Sequence, residues 1–194
     1  MMDPYFKILN IPSLTRDVQN IFQEHILPHG MNNRNQILKN VRIDPNNPAH
    51  AQMMSITEKY PFLFIHLLIF QLPLGYVTPI HKDGLGDVDA TRITSCNIPI
   101  SGCGETCVTE FFEAPNEHFF SDVPNTTRFL FPDKPKEMVA DYVLNNNVVL
   151  TNTQLPHRVN NKENDTERIS VSWTIRKQWS WNDIAKLVDS GKYN

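Results

Sequence analysis

Two histidines and an aspartate are the residue types here that metal chemistry uses. His81 and Asp83 lie in TPIHKDG and His157 in QLPHRV. A His-x-Asp pair sets an imidazole and a carboxylate side by side where a strand ends or bends. A second histidine from a distant strand then completes one face of an octahedron. Two imidazoles and one carboxylate, with three positions left open, suit non-haem Fe(II) oxygenases, which need that space for a bidentate co-substrate and dioxygen. The His and Asp content of the chain gives about 0.4 such pairs by chance, so the pair alone reads more readily as an exposed turn with a solvated aspartate. The stronger signal lies downstream. Arg168 and Ser170 follow His157 at eleven and thirteen residues, inside the strand-like run ERISVSWTI. A His, Arg and Ser at that spacing arise about 0.01 times by chance, or about 0.07 times with several spacings allowed.

Short elements must hold these residues. The 194-residue chain carries 14 Pro against 7 Gly, which favours many turns and argues against a helical bundle. At this length about 70% of the unfolded surface can be buried, and a 40% apolar, 20% charged composition argues against wholesale disorder. Strands are predicted at 62–70, 77–80, 92–100, 107–112, 128–131, 138–144, 148–151 and 169–175, separated by Gly, Asp and Pro. Ser13 is expected to cap a helix whose apolar positions Leu14, Val18, Ile21, Phe22 and Ile26 approach a 3.6-residue period. Residues 29–50 read as a long loop. A last helix is expected from Ser180, with Asp183 in its first turn and Gly191 beyond its end. Closely spaced strands with helices at the chain ends predict a mainly β (α+β) sandwich or jelly roll, not βαβ units. No internal boundary is visible, so residues 1–194 are expected to form a single domain: a helical and loop region over 1–60, a β core over 61–176 and a helix over 177–194.

Several function classes find no support. A net charge of −3 provides no field toward nucleic acid or acidic lipid, and the basic residues neither cluster nor interleave with aromatics. The most apolar run, FLFIHLLIF, is far shorter than the ~20 residues of a membrane span. The first residues, MMDPYFKILN, have neither a basic start nor a signal-length apolar core, so a cytoplasmic protein is expected. Cys96, Cys103 and Cys107 then read as reduced thiols. The CxxxC spacing of the last two lacks a second pair for a closed zinc site, and burial among apolar groups is expected instead. His66 reads as a hydrogen-bonded core histidine; His25, His29, His50 and His118 read as solvated. Trp173, Trp179 and Trp181 are expected to pack where the last strand meets the last helix.

The segments LPLGYVTPIHKDG, CNIPISG, LPHRVNN and RISVSW together resemble the Fe(II)- and 2-oxoglutarate-dependent dioxygenases, in their aspartyl/prolyl hydroxylase-like branch and its small bacterial and phage members. The likeness spans about residues 62–176 and implies a double-stranded β-helix, a cupin-like jelly roll, with helices flanking it at both ends. It implies that His81, Asp83 and His157 bind Fe(II), that Arg168 pairs with the distal carboxylate of 2-oxoglutarate and that Ser170 hydrogen-bonds it. A guanidinium fork suits a buried carboxylate because two parallel donors fix charge and orientation together. Asn97 is placed facing the same co-substrate, with Arg92 an alternative clamp. The implied reaction hydroxylates an amino acid, a peptide or a small polar molecule while 2-oxoglutarate is decarboxylated to succinate and CO2. Residues 31–58 and 113–127 are expected to shape the substrate pocket. Two other readings remain open: a cupin-like metal-binding module without oxygenase activity, and a zinc hydrolase on the same three ligands. Arg168 instead reads as a surface cation if it pairs with Glu163 or Glu167.

Overall fold

The computed structural model describes residues 5–26, 38–41, 46, 48–83, 94–113, 119–121, 128–130, 137–163, 166–176 and 178–193. In chain order the elements are β1 (Phe6–Leu9), α1 (Pro12–Ile21), β2 (Leu38–Val41), α2 (Pro48–Lys59), β3 (Leu63–Leu72), β4 (His81–Lys82) and β5 (Thr94–Ser101). They continue with β6 (Val108–Phe112), β7 (Phe119–Ser121), β8 (Arg128–Leu130), β9 (Met138–Val143), β10 (Val148–Asn152), β11 (His157–Asn160), β12 (Arg168–Ile175) and α3 (Trp181–Asp189). A π-helical turn, Phe22–Ile26, extends α1.

Two six-stranded sheets form, in the orders β1-β10-β5-β12-β3-β2 and β7-β8-β4-β11-β6-β9. All their pairings are antiparallel. This is the mainly β jelly roll with flanking helices that the sequence predicts. Its two-residue periodicity decides what each face of the first sheet meets. Along β12, Val171, Trp173 and Ile175 join the main apolar core with Cys96 and Ile98 of β5 and Val148 and Leu150 of β10. Leu14, Val18 and Ile21 of α1, Met53 and Ile56 of α2, and Ile184 and Val188 of α3 cover that face. The alternate residues Arg168, Ser170, Ser172, Ser95, Asn97 and Thr151 turn toward the second sheet. A smaller apolar cluster of Cys103, Phe111, Tyr142, Leu144 and Val149 also draws on both sheets.

Several local expectations need correction. Ser13 does not cap α1: Pro12 opens that helix without a side-chain cap, which suits a residue lacking the N–H that a first turn leaves unsatisfied. The Ser13 hydroxyl pairs with that of Tyr60 at 3.1 Å instead. The expected loop over 29–50 contains β2 and the start of α2; its other residues, His29 included, lie outside the described set apart from 46. The expected strand over 77–80 reduces to one bridge, Val77 to Asn160. Proline at 79 has no N–H to give a ladder, and pairing resumes at His81. His25 is only partly solvated: its side chain is half-buried, and its Nε2, without a hydrogen-bond partner, lies 3.6 Å from a Glu24 carboxylate oxygen. His118, Arg92 and the side chain of His66 lie outside the described residues. The last helix follows its prediction. Ser180 and Asp183 form a reciprocal capping box, and Gly191 lies beyond the end at φ 74°.

Candidate metal and anion site

His81 and His157 sit directly opposite one another on β4 and β11. Facing residues of an antiparallel pair project from the same side of the sheet, and the two imidazole centroids are 4.5 Å apart. Asp83 follows two residues after His81 and returns to that side; its carboxylate lies 3.6 Å from His81 Nε2. One ligating atom from each of the three residues lies within 4.8 Å of the others. All three side chains are buried.

The backbone prepares these groups for a cation. His81 Nδ1 lies 2.8 Å from the Pro79 carbonyl and His157 Nδ1 lies 2.8 Å from the Leu155 carbonyl. A carbonyl only accepts, so each Nδ1 carries a proton, and Nε2 is the nitrogen left to offer a lone pair to a metal. The Asp83 N–H donates to the Thr153 carbonyl at 3.0 Å, and Gln154 Nε2 donates to the Asp83 carbonyl at 3.2 Å. The turn leading into His157 thus holds the segment carrying the other two ligands. Two nitrogen donors and one carboxylate, converging and with their tautomers set, fit a divalent transition metal.

The triad shares a cavity of about 60 Å³ with Thr78, Asn97, Thr109, Tyr142, Thr151, Arg168, Ser170 and Ser172, among others. Arg168 is 4% exposed and its Nε has no hydrogen-bond partner. Among the described residues no ion pair joins it to Glu163, Glu167 or any other carboxylate, so the surface-cation alternative fails. A buried guanidinium without an anion is costly, and this one lines the cavity that holds the triad. Asp83 is the only carboxylate among the described lining residues, which leaves a zinc hydrolase without a second carboxylate there as its base.

Asn97 also lines the cavity, within a network the sequence does not reveal. Its Nδ2 donates to Thr151 Oγ1 at 2.7 Å and to the Tyr142 hydroxyl at 3.3 Å, and those two hydroxyls lie 2.8 Å apart. Tyr142 and Thr151 meet Asn97 only through sheet pairing, and single hydroxyl residues carry no spacing signal. None of the described lining residues comes from 31–58 or 113–127. A larger, open concavity of about 870 Å³ lies between α2 and α3, lined by Met54, Glu58, Arg176, Trp179 and Lys186, and holds no part of the triad.

No family model matches the chain, and no curated protein matches it in sequence. Among solved structures, a Pseudomonas putida prolyl-4-hydroxylase aligns over 91% of this chain and 95% of its own, at 14% identity and a TM-score of 0.52. AviO1 from Streptomyces viridochromogenes Tue57 aligns over 91% of both chains, at 12% identity and a TM-score of 0.49. The first of these likenesses shows that the chain shares the jelly-roll fold of the prolyl-4-hydroxylase, the fold that its sequence resemblance implies.

Proposed function

We propose that this chain is an Fe(II)- and 2-oxoglutarate-dependent dioxygenase that hydroxylates an amino acid, a peptide or a small polar molecule. One observation carries the reading: a single cavity joins a converged His81, Asp83 and His157 to a buried Arg168 that has no carboxylate partner among the described residues. A metal-binding module without oxygenase activity needs the triad but not the cation. The activity by which the P. putida neighbour is named agrees with the proposal.

In this reading His81, Asp83 and His157 hold the iron, and Arg168 with Ser170 takes the distal carboxylate of 2-oxoglutarate. Bound iron and 2-oxoglutarate supply the means to activate dioxygen, with succinate and CO2 as products alongside the hydroxylated substrate. The protein's own part is placement and exclusion of water. The carbonyls of Pro79 and Leu155 hold the Nδ1 protons, leave Nε2 as the ligating nitrogen of each ring and fix the ring planes. Burial of Arg168 strengthens its hold on an anion by removing competing solvent. Asn97, Tyr142 and Thr151 orient one another through mutual hydrogen bonds and present a polar wall to the co-substrate.

Anaerobic titration with Fe(II) and then 2-oxoglutarate tests this. A visible metal-to-ligand charge-transfer band is expected in the wild type, lost in His81→Ala and requiring much more 2-oxoglutarate in Arg168→Ala. Bound iron without a band would overturn the co-substrate assignment and leave the binding module.

A further inference from the structure

The turn between β5 and β6 is built against the residue that precedes Arg168. Gly102 has φ +60°, and a Cβ there would lie 2.0 Å from the Glu167 carbonyl oxygen and 2.8 Å from its carbon. Only glycine permits that approach. It brings the next residue, Cys103, onto the start of β12, where its Sγ donates toward the Ile169 carbonyl at 3.2 Å and the Ser101 carbonyl at 3.3 Å. The turn is tied at both ends: Asn145 N–H donates to the Cys103 carbonyl at 2.7 Å, and Cys107 N–H donates to that of Gly104 at 3.0 Å. Cys103 and Cys107 are buried. Cys103 packs in one apolar cluster with Tyr142, and Tyr142 lines the same cavity as Arg168; burial opposes the charge of that guanidinium, yet the neighbouring Cys103, Cys107 and Tyr142 side chains raise its pKa above the usual arginine value.

We propose that Cys103 is a positioning residue for Arg168, fixing the buried guanidinium so that its donors meet the co-substrate carboxylate in one orientation. This rests on the co-substrate reading above. An arginine has several rotatable bonds, and its Nε has no hydrogen-bond partner of its own. Order must therefore come from what surrounds the guanidinium, and the Cys103 sulfur, held against β12 by the Ile169 carbonyl, is placed to supply it.

Two variants separate this role from simple packing. Cys103→Ser keeps a donor and an acceptor at the same place, whereas Cys103→Val keeps the volume and offers neither. The measurement is calorimetric titration of 2-oxoglutarate into Co(II)-loaded protein under nitrogen, with Co(II) affinity measured separately for each variant. The expected result is about tenfold weaker 2-oxoglutarate binding in Cys103→Val, recovery to within about threefold of wild type in Cys103→Ser, and unchanged Co(II) affinity. Wild-type 2-oxoglutarate affinity in Cys103→Val would overturn the proposal. So would equal losses in both variants, or Co(II) affinity falling in step with them. A wild-type protein that binds Co(II) but no 2-oxoglutarate would overturn the co-substrate reading itself and this role with it.

Discussion

Arg168 is the residue whose chemistry decides most. A lysine there keeps the charge but replaces the planar fork with a compact point charge. Arg168→Lys is expected to weaken 2-oxoglutarate binding by about tenfold or more while leaving metal affinity intact, as titration of the Co(II)-loaded protein would read. Gln154 acts on the other half of the site. Its amide donates to the Asp83 carbonyl, and partners that orient metal ligands commonly matter by 10-fold or more in affinity. Gln154→Ala is expected to weaken Co(II) binding by about that factor; unchanged affinity would show that the Asp83–Thr153 bond suffices. The thiols offer a check on burial. Desolvation pushes Cys96 up to about 12 and also raises Cys107. At pH 8, iodoacetamide should leave Cys96 unmodified in native protein and label it rapidly in urea, as peptide mass spectrometry would show. His81, Asp83, His157 and Arg168 were legible in the sequence because rare residue types stood at informative spacings. Tyr142, Thr151 and Gln154 were not, because hydroxyls and amides are common and their proximity arises from pairing between distant strands.

Elements were legible where one local signal sufficed. Ser180 with Asp183 three residues on is a capping pattern, and α3 begins where it predicts. Ser180→Ala removes the acceptor for the Asp183 N–H and is expected to cost about 1 kcal/mol, measurable by urea unfolding. The Ser180 hydroxyl and backbone N–H donate to the Asp183 carboxylate and lower its pKa. A depressed carboxyl pKa stabilises the fold above the unfolded value, about 3.9 for aspartate, and that contribution fades as pH falls through the folded value. Wild type is therefore expected to melt above Asp183→Asn at pH 6, with the gap closing below about pH 4. A gap constant down to pH 2 would remove the carboxylate from the account. Elsewhere competing signals hid the structure. In α2, Ala49, Met53 and Ile56 follow a helical stripe, but DPNNPAH upstream reads as loop, although Pro48 is a normal helix opener. β1 and β4, of four and two residues, are too short to show any period; only the sheets define them.

For the whole molecule, the first residues show how little a local reading says about structural weight. MMDPYFKILN carries no motif, yet β1 pairs with β10 through Phe6–Thr151 to Leu9–Val148 and forms one edge of the first sheet. Its side chains reach both cores. Leu9 is buried beneath the helices, whereas Tyr5 and Phe6 pack beside Phe111 and Tyr142, with Phe6 and Tyr142 ring centroids 4.9 Å apart. Tyr142 in turn holds Thr151 and Asn97 in the cavity wall. Removing residues 1–9 would leave β10 as an unpaired edge open to association. It would also take away a buried leucine, a loss of 2–5 kcal/mol in itself, from a protein whose whole stability is of order 5–15 kcal/mol. The truncated chain is expected to aggregate on expression or to melt well below the full chain. Where it can be recovered, it should bind 2-oxoglutarate more weakly even with Co(II) loaded, because the wall formed by Tyr142 has lost its backing. A truncated protein with full-length melting temperature and co-substrate affinity would show that β1 merely lies on the sheet. The asymmetry of the fold argues the other way: helices cover one face of the first sheet, and apart from the aromatic cluster and a few apolar side chains the opposite face is given to polar chemistry, so the edge strand carries packing that the site itself cannot supply.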